Sequence, residues 1–165
     1  MIFWKLIYYT YIIALPMILL DLSFGQVLLG FVSLHIVAGL ILSIIFQLAH
    51  VVEGTNFPTP DDKGTIENEW AIHQLETTAD FAKNNPLVTF YVGGLNYQAI
   101  HHLFPRICHV HYPKIAPIVE QTAKEFGVPY IYNDSVGKAF VSHIRILSKL
   151  GRNETTFAAI ANSMG

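Results

Sequence analysis

The uncharged N-terminal third of this chain is the feature that most constrains its fold. No Asp, Glu, Lys or Arg occurs in residues 6–20, and none occurs in residues 22–52. An apolar helix crosses a bilayer with about 20 residues, so the second run is long enough by itself. The first run is long enough only if residues 2–5 join it and the Lys5 ammonium reaches the interface. We therefore predict two transmembrane helices.

The two predicted spans, residues 2–20 and 27–49, are separated by a short turn that contains no Lys or Arg. A signal peptide is an alternative for the first span, because Lys5 precedes an apolar region. No small-residue cleavage site follows, however, and the second span begins at once. The short turn brings both outer ends of the hairpin to one side of the membrane. Because nine of the 10 Lys and Arg residues follow the second span and Lys5 lies at the outer end of the first, the positive-inside rule puts that side in the cytoplasm.

Composition limits the domain organisation and the partners. The 165 residues fit one domain, and 52% of them are hydrophobic. A formal net charge of -2 with interspersed signs gives no nucleic-acid-binding surface, and the lone cysteine, Cys108, excludes an intramolecular disulfide. We expect an all-α integral membrane protein. Its transmembrane helical hairpin is residues 1–50, and a cytoplasmic helical region, residues 51–165, caps it and carries the candidate site.

One histidine lies within the second span, one directly after it and one in the helix predicted next. His35 is expected to be a neutral histidine bonded across the helix pair, whereas His50 either lines the mouth of an active site or sits at the interface. A helix over residues 67–81 follows. One of its faces is expected to be buried and carries Trp70, His73, Gln74, Thr77 and Phe81.

Two further helices are predicted in the C-terminal part of the chain. The first begins at Pro113 and is stopped by Gly127, and the second begins at Asp134 or Ser135 and ends at Gly151. Their expected apolar faces are Ile115, Ile118, Val119, Thr122 and Phe126, and Val136, Ala139, Phe140, Ile144 and Leu147. The tail, residues 152–165, carries no motif, and we expect it to be poorly ordered.

A glutamine and two adjacent histidines form the motif with the most chemical content. Gln98, His101 and His102 occupy positions i, i+3 and i+4, which share one face of a helix. Adjacent histidines diverge by about 100°, so the pair suits two neighbouring metal ions better than one. Pro105 cannot continue a helix, which places the pair at a helix end. A histidine pair with no ligand is the alternative interpretation.

The motif Gln98-x-x-His101-His102, followed by Leu-Phe-Pro, resembles the third histidine box of membrane fatty acid desaturases. It has the front-end form of that box, in which glutamine replaces the first histidine. Residues 73–81 and 107–113 are similar to the segments that flank this box in acyl-lipid and linoleoyl-CoA-type desaturases, and the resemblance runs from about residue 2 to residue 151. One departure is that Ala99-Ile100 stands where Ile-Glu is usual, which removes a carboxylate beside the site.

The resemblance implies an oxygen-dependent fatty acid desaturase whose two iron ions are held by histidines from three boxes and one upstream histidine. It makes His73, His101 and His102 metal ligands of this chain. Gln98 takes a catalytic position, either as a weak ligand through its carbonyl oxygen or by orienting a water or a neighbouring histidine. The implied partners are an acyl-CoA or acyl-lipid substrate, membrane lipid, and an external electron donor such as cytochrome b5 or ferredoxin.

The first two boxes of this family precede the first span and have the forms His-x-x-x-His and His-x-x-His-His. Neither pattern occurs in this chain, and His109-Val110-His111 has the wrong spacing for both. We therefore expect the chain to be the C-terminal part of a desaturase, as a truncated gene product or a fragment. Three histidines can scarcely hold two iron ions, so we expect it to be inactive alone.

Two other functions are compatible with the motifs. One is a membrane hydroxylase of the same histidine-box type, although the glutamine form of the box favours front-end desaturation. The other is a membrane scaffold whose histidines bind one structural zinc ion. Metal content separates them, because two irons per assembled protein favour an oxygenase and one zinc favours the scaffold.

Cysteine labelling of intact cells tests the predicted topology. In a background that lacks Cys108, a membrane-impermeant maleimide is expected to label Ser23→Cys and to spare Lys63→Cys. The reason is that the turn and the region after the hairpin are predicted on opposite sides of the membrane. Labelling of Lys63→Cys from outside would refute the hairpin topology.

Overall fold

A computed structural model describes residues 1–66 and 68–152. The chain divides into two compact units, Met1–Ile44 and Ile45–Gly165. The predicted helix start at residue 67 and the tail beyond residue 152 lie outside the described residues. The described part is mostly helical, as the sequence predicts, and it also contains a two-stranded sheet.

The first unit begins with a continuous helix that is long and apolar enough to cross a membrane. It consists of α1 (Ile2–Tyr9), a π-helical turn (Thr10–Ala14) and α2 (Leu15–Leu19). Pro16 accounts for the π turn, because proline has no amide hydrogen and its ring would clash with the carbonyl of Ile12 in a regular helix. The wider turn lets the helix continue through the proline.

The second apolar helix, α3 (Phe24–His50), is also long enough to cross a membrane. It begins with a reciprocal pair of hydrogen bonds. The backbone N–H of Ser23 donates to Oε1 of Gln26 at 2.9 Å, and the N–H of Gln26 donates to Oγ of Ser23 at 3.4 Å. This capping box satisfies backbone donors at the helix start. Both predicted spans are therefore confirmed as helices.

His35 is held by hydrogen bonds on both ring nitrogens. Its Nδ1–H donates to the carbonyl oxygen of Phe31 at 2.8 Å, and Tyr8 Oη–H donates to its Nε2 at 2.9 Å. Because Tyr8 belongs to α1 and His35 to α3, this bond joins the two helices. The prediction of a histidine bonded across the helix pair is confirmed.

The second unit combines short helices with one small sheet. Its elements are α4 (Trp70–Thr77), β1 (Ala79–Phe81), α5 (Pro86–Tyr91), α6 (Gln98–Leu103), a 3-10 turn (His109–His111), α7 (Tyr112–Glu125), β2 (Ile131–Asn133) and α8 (Val136–Gly151). The strands β1 and β2 pair in parallel, with Asp80 opposite Tyr132.

The predicted helix over residues 67–81 is wrong in its C-terminal part, because α4 ends at Thr77 and a strand follows. Two β-branched residues explain the end of the helix. The hydroxyl of Thr77 donates to the carbonyl of His73 at 2.8 Å, and that of Thr78 donates to the carbonyl of Gln74 at 2.5 Å. These side chains take the place of the next backbone donors, and the chain then extends into β1.

The other helix boundaries follow local sequence signals. The Asn85 side chain accepts hydrogen bonds from two backbone amides at the start of α5, so the apolar run that follows is helical. Gly127 has φ of +68° after α7, and the N–H of Val128 donates to the carbonyl of Ala123 at 2.8 Å, as in a Schellman motif. Ser135 caps α8. The Gly127 stop and the Ser135 cap agree with the predictions, whereas the α5 helix was not predicted.

The buried faces of α7 and α8 agree only in part with those predicted. Ala139 of the predicted α8 face is buried, and Ile115 and Val119 of the predicted α7 face pack against the core. Small residues form much of each buried face: Ala116 and Ala123 in α7, and Ala139 and Ser142 in α8. Several large apolar residues expected to be buried are exposed instead, namely Ile118, Phe126, Phe140, Ile144 and Leu147. Small side chains let the backbones approach closely, and this close packing determined which face is buried.

A buried carboxylate joins the sheet to α6. Asp80 in β1 is fully buried, its Oδ1 accepts the backbone N–H of Ala99 at 3.0 Å, and its Oδ2 accepts the hydroxyl of Tyr130. Burial raises the pKa of Asp80 to about 6, and the hydrogen bonds from Tyr130 and Ala99 oppose that rise. This residue therefore sets the position of the N-terminal turn of α6.

Removing the Asp80 carboxylate is expected to destabilise the second unit. In Asp80→Ala the Ala99 amide and the Tyr130 hydroxyl lose their acceptor, at a cost of about 1–3 kcal/mol for each buried group left unpaired. The matched control is Asp134→Ala, which removes an exposed carboxylate paired with Lys138 and should change stability by less than about 0.5 kcal/mol. Thermal unfolding in detergent measures both, and equal melting temperatures would contradict the role of Asp80.

Candidate metal centre

The Gln-x-x-His-His motif forms the short helix α6, as predicted. A bend at Gly93 and Gly94 precedes it, and both glycines have positive φ, of +60° and +79°. A Cβ on Gly94 would lie 2.7 Å from Cβ of His109, so this position needs glycine for space as well. The helix ends at Leu103, and its C-cap residue Phe104 directly precedes Pro105.

Gln98 brings two histidines from different elements together. Its side-chain amide nitrogen lies 3.1 Å from Nε2 of His50 and 3.0 Å from Nε2 of His102. Gln98 is only 2% exposed, and the two imidazole rings have their centroids 5.1 Å apart. The end of α3 and α6, which we call the box helix, therefore meet at the side chain of Gln98.

The hydrogen bonds define which ring nitrogens carry protons. His102 Nδ1 lies 2.6 Å from Oε1 of Gln74, which can only accept, so Nδ1 carries the proton and Nε2 accepts from Gln98. His50 Nδ1 likewise faces the carbonyl oxygen of Thr77, at 3.4 Å. Both Nε2 lone pairs consequently point at the Gln98 amide group.

His101 faces another direction, as expected for adjacent helical residues. Its Nδ1 lies 3.2 Å from the hydroxyl of Tyr112, and its ring centroid is 5.8 Å from that of His102. Within the described ranges, 1–66 and 68–152, Nε2 of His101 has no hydrogen-bond partner. Gln98, His101 and His102 therefore do not face one point as predicted. Gln98 bonds to His102, and His101 points elsewhere.

His73 lies beside His50 at a cavity of about 500 Å³, which is also lined by Thr77 and by residues of the connector after α3. The Nδ1 atom of His73 is buried and has no hydrogen-bond partner in the described chain. The expectation that Trp70 shares a buried face with His73 is wrong. Trp70 is 58% exposed, since it is the first residue of a short helix.

Burial, together with two neighbouring histidines, keeps the His102 ring neutral. Burial lowers the pKa of His102 to about 4, and repulsion from His50 and His101 contributes to the shift. A neutral imidazole is the form that ligates a metal ion. His102 therefore stays neutral, and able to bind a cation, between pH 6.5 and about 4, where an ordinary histidine takes up a proton.

The donors present fit part of an iron site. Imidazole suits iron, with zinc as a competitor, and His73 supplies a buried ring nitrogen that lacks a partner. Among the described residues, no three His, Cys, Asp or Glu side chains lie close enough together to hold a metal ion by themselves. The described chain thus contributes ligand chemistry without a complete ligand set.

Sequence reasoning missed two contacts of this site. It left His50 between two roles, and it placed Gln74 on the same helical face as His73 without assigning it a function. The structure bonds Gln74 to His102 and places His50 against Gln98. A usable signal was the position of Gln74 directly after His73, but the partner of each side chain depends on contacts that are distant in sequence.

The chain is similar to known fatty acid desaturases over most of its length. The family model described as fatty acid desaturase matches residues 1–134. The sn-1 linoleoyl-lipid 6-desaturase of Arthrospira platensis is 46% identical over 133 residues, which are 81% of this chain and 36% of that protein. The enzyme of the same name from Synechocystis sp. is 44% identical over 149 residues, 90% of this chain and 41% of that protein.

A third relative comes from a fungus. The acyl-lipid (8-3)-desaturase of Mortierella alpina is 42% identical over 151 residues, 90% of this chain and 33% of that protein. The chain therefore spans about a third to two-fifths of the length of these relatives. No solved structure matches it significantly.

The low pKa of His102 gives a testable pH dependence. Because the folded-state pKa is about 4 and the ordinary value is 6.5, the unfolded chain binds this proton first as the pH falls. The His102 contribution to stability is therefore present above pH 6.5 and is lost between pH 6.5 and 4. Ring ¹⁵N NMR of the metal-free chain in detergent should show His102 neutral at pH 5, and titration near 6.5 would contradict the burial argument.

Proposed function

The chain belongs to the fatty acid desaturase family, and from this premise we propose that it carries the third-box part of an oxygen-dependent, di-iron acyl-lipid desaturase. The observation that supports this function best is the buried, unpartnered Nδ1 of His73, which lies on the same cavity as His50 beside the box helix. A buried polar atom without a partner is costly in a protein interior. A metal ion would supply the missing partner.

The residues proposed to hold iron are His73, His101 and His102. When bound, an iron pair would activate dioxygen, which is the oxidant needed to remove two hydrogens from an unactivated alkyl chain, a reaction that side chains alone cannot perform. Gln74 holds His102 with its proton on Nδ1, and Tyr112 contacts Nδ1 of His101. Such partners behind a ligand orient it and tune its basicity.

Gln98 is proposed to orient histidines. Its amide nitrogen is engaged with two imidazoles at 3.1 and 3.0 Å. Of the two roles left open by the sequence, these contacts support that of a group which positions neighbouring histidines.

The substrate class is proposed from the relatives. The three relatives are named as linoleoyl-lipid or acyl-lipid desaturases, which favours an acyl-lipid over an acyl-CoA. The two helices that are long and apolar enough to cross a membrane fit a substrate held in a bilayer. We place the site on the cytoplasmic side, where an external donor such as cytochrome b5 or ferredoxin would deliver electrons.

The remaining ligands are proposed to come from other parts of a longer protein. The described residues contain no group of three metal-binding side chains, and the Arthrospira platensis relative is aligned over only 36% of its length. On this proposal the chain alone makes no product. A complete enzyme forms when it is joined to the preceding segments of a desaturase.

A chimera tests the proposal. This chain is joined to the preceding part of the Arthrospira platensis desaturase and expressed in a host without that activity, beside the chain alone. The chimera is expected to contain iron and to introduce a new double bond into lipid acyl chains, whereas the chain alone is not. In the chimera, His73→Ala should remove iron and product.

The control for His73→Ala is His111→Ala, because His111 is exposed in the 3-10 turn. His143 is less suitable, since its Nδ1 donates to the carbonyl of Val51 at 2.7 Å. Iron content and the fatty acid profile are measured together. A chimera that binds iron yet makes no product, or a His73→Ala variant with full iron and product, would contradict the proposal.

A further inference from the structure

We infer that α8 lies in the membrane–water interface, with the apolar side chains along one of its sides in contact with lipid. Four of these side chains, which we call the apolar stripe, recur at helical spacing: Val136, Phe140, Ile144 and Leu147. They are between 38% and 49% exposed. The neighbours of α8 and its charges favour a bilayer surface as the partner of this stripe. The inference does not rest on the proposed function, because it concerns only where one helix meets lipid.

The contacts of α8 tie it to the end of the second apolar helix. His143 Nδ1–H donates to the carbonyl oxygen of Val51 at 2.7 Å, and the backbone N–H of Glu53 donates to Oγ of Ser142 at 2.8 Å. Val51 directly follows the end of α3, and Glu53 is the first charged residue after the uncharged run of residues 22–52. The boundary of the hydrocarbon region is therefore expected close to these residues, and α8 is bonded to them at that level.

The two exposed sides of α8 differ in chemistry. Its Lys and Arg residues, Lys138, Arg145 and Lys149, share one side, and the helix contains no Asp or Glu. Phe140 lies two residues after Lys138, which corresponds to about 200° around a helix. The apolar stripe therefore runs along the side opposite the basic residues. An apolar side combined with a Lys- and Arg-rich polar side is typical of helices that lie in a membrane interface.

The bonds of α8 also indicate which of its sides is nearer the end of α3. His143, three residues after Phe140, is its neighbour on the helix surface and bonds to Val51. On the basic side, Lys149 pairs with Glu53 at 2.8 Å. Because the chain passes Val51 before Glu53 as it leaves α3, the apolar stripe is on the side nearer the apolar helix. The basic side is directed away from it.

Lipid contact accounts for an apolar face that the described chain leaves uncovered. The pattern of α8 predicted Phe140, Ile144 and Leu147 as buried, whereas all three are exposed. Removing apolar surface from water gains about 25 cal/mol per Å², and contiguous exposed apolar side chains commonly mark an interaction surface. A bilayer surface beside the end of α3 supplies that cover without another protein.

Spin labelling of the full chain in phosphatidylcholine nanodiscs tests the position of α8. In a Cys108→Ser background, a nitroxide is attached to Phe140→Cys or Leu147→Cys. Power-saturation EPR measures its collisions with O₂, which concentrates in the bilayer, and with a water-soluble Ni²⁺ chelate. Both labels are expected to lie at similar depths, about 5–10 Å inside the headgroup boundary. If circular dichroism shows that Phe140→Cys loses helix, Ile144→Cys takes its place.

The matched control is Lys138→Cys, because Lys138 is two residues from Phe140 and forms only an exposed pair with Asp134. Its label should collide with the Ni²⁺ chelate several-fold more often than the label at Phe140→Cys, and less often with O₂. Equal access of the chelate to both positions, or to Lys138→Cys and Leu147→Cys, would overturn the inference. Labels on the stripe that neither reagent reaches would also overturn it, since protein rather than lipid would then cover the stripe.

The same labels in the chimera separate lipid from the preceding segments of a longer protein as the cover. Lipid contact in the chimera as well would support the inference, whereas loss of access to both reagents there would overturn it. Neither readout depends on iron or on product. A chimera that fails to desaturate would therefore contradict the proposed function and leave the result for α8 unchanged.

Discussion

The candidate site depends on a carboxylate that the fold has removed from water. Asp80 lies in a three-residue strand, and its two oxygens accept hydrogen bonds from Ala99 at the start of the box helix and from Tyr130 just before β2. Burying a carboxyl group is costly unless its hydrogen bonds are made, so these contacts are strongly specified. They fix the start of α6, and the directions of Gln98, His101 and His102 follow from it.

The polar side chains of the box helix point in two different directions. Gln98 and His102, one turn apart, face α4 and the end of α3, whereas His101 faces Tyr112 at the start of α7. The hydrogen-bond donors and acceptors of each side chain determine the tautomers around Gln98. The arrangement therefore presents neutral nitrogen donors, which is consistent with an imidazole-rich metal site.

Features encoded within a few neighbouring residues could be predicted from the sequence. The two apolar spans, the end of α6 before Pro105, the Gly127 stop and the start of α8 near Ser135 all follow local rules. The β1–β2 pair could not be predicted, because strands of three residues carry little periodicity and their partners are far apart in the chain. The predicted faces of α7 and α8 were right only in part. Large apolar residues such as Phe126 and Phe140 are exposed, and Ala116 and Ser142, which lie outside the predicted faces, are buried.

The same division holds for the site. The motif predicted Gln98, His101 and His102 as one group. Their separation into two directions follows from helix geometry, because adjacent helical residues point about 100° apart. The role of His73 as a ligand stays a prediction. The contacts of His50 and Gln74 needed the three-dimensional structure, because α3, α4 and α6 are brought together by the fold.

The π turn at Thr10–Ala14 has a consequence for the first apolar helix as a whole. A π turn accommodates one residue more than an α-helical turn, so it advances the angular phase of all following side chains by about 100°. The side chains of Ile2–Tyr9 and those of Leu15–Leu19 consequently do not continue one stripe along the helix. The aromatic half, which holds Tyr8 against His35, and the aliphatic half after the proline can thus contact different surroundings.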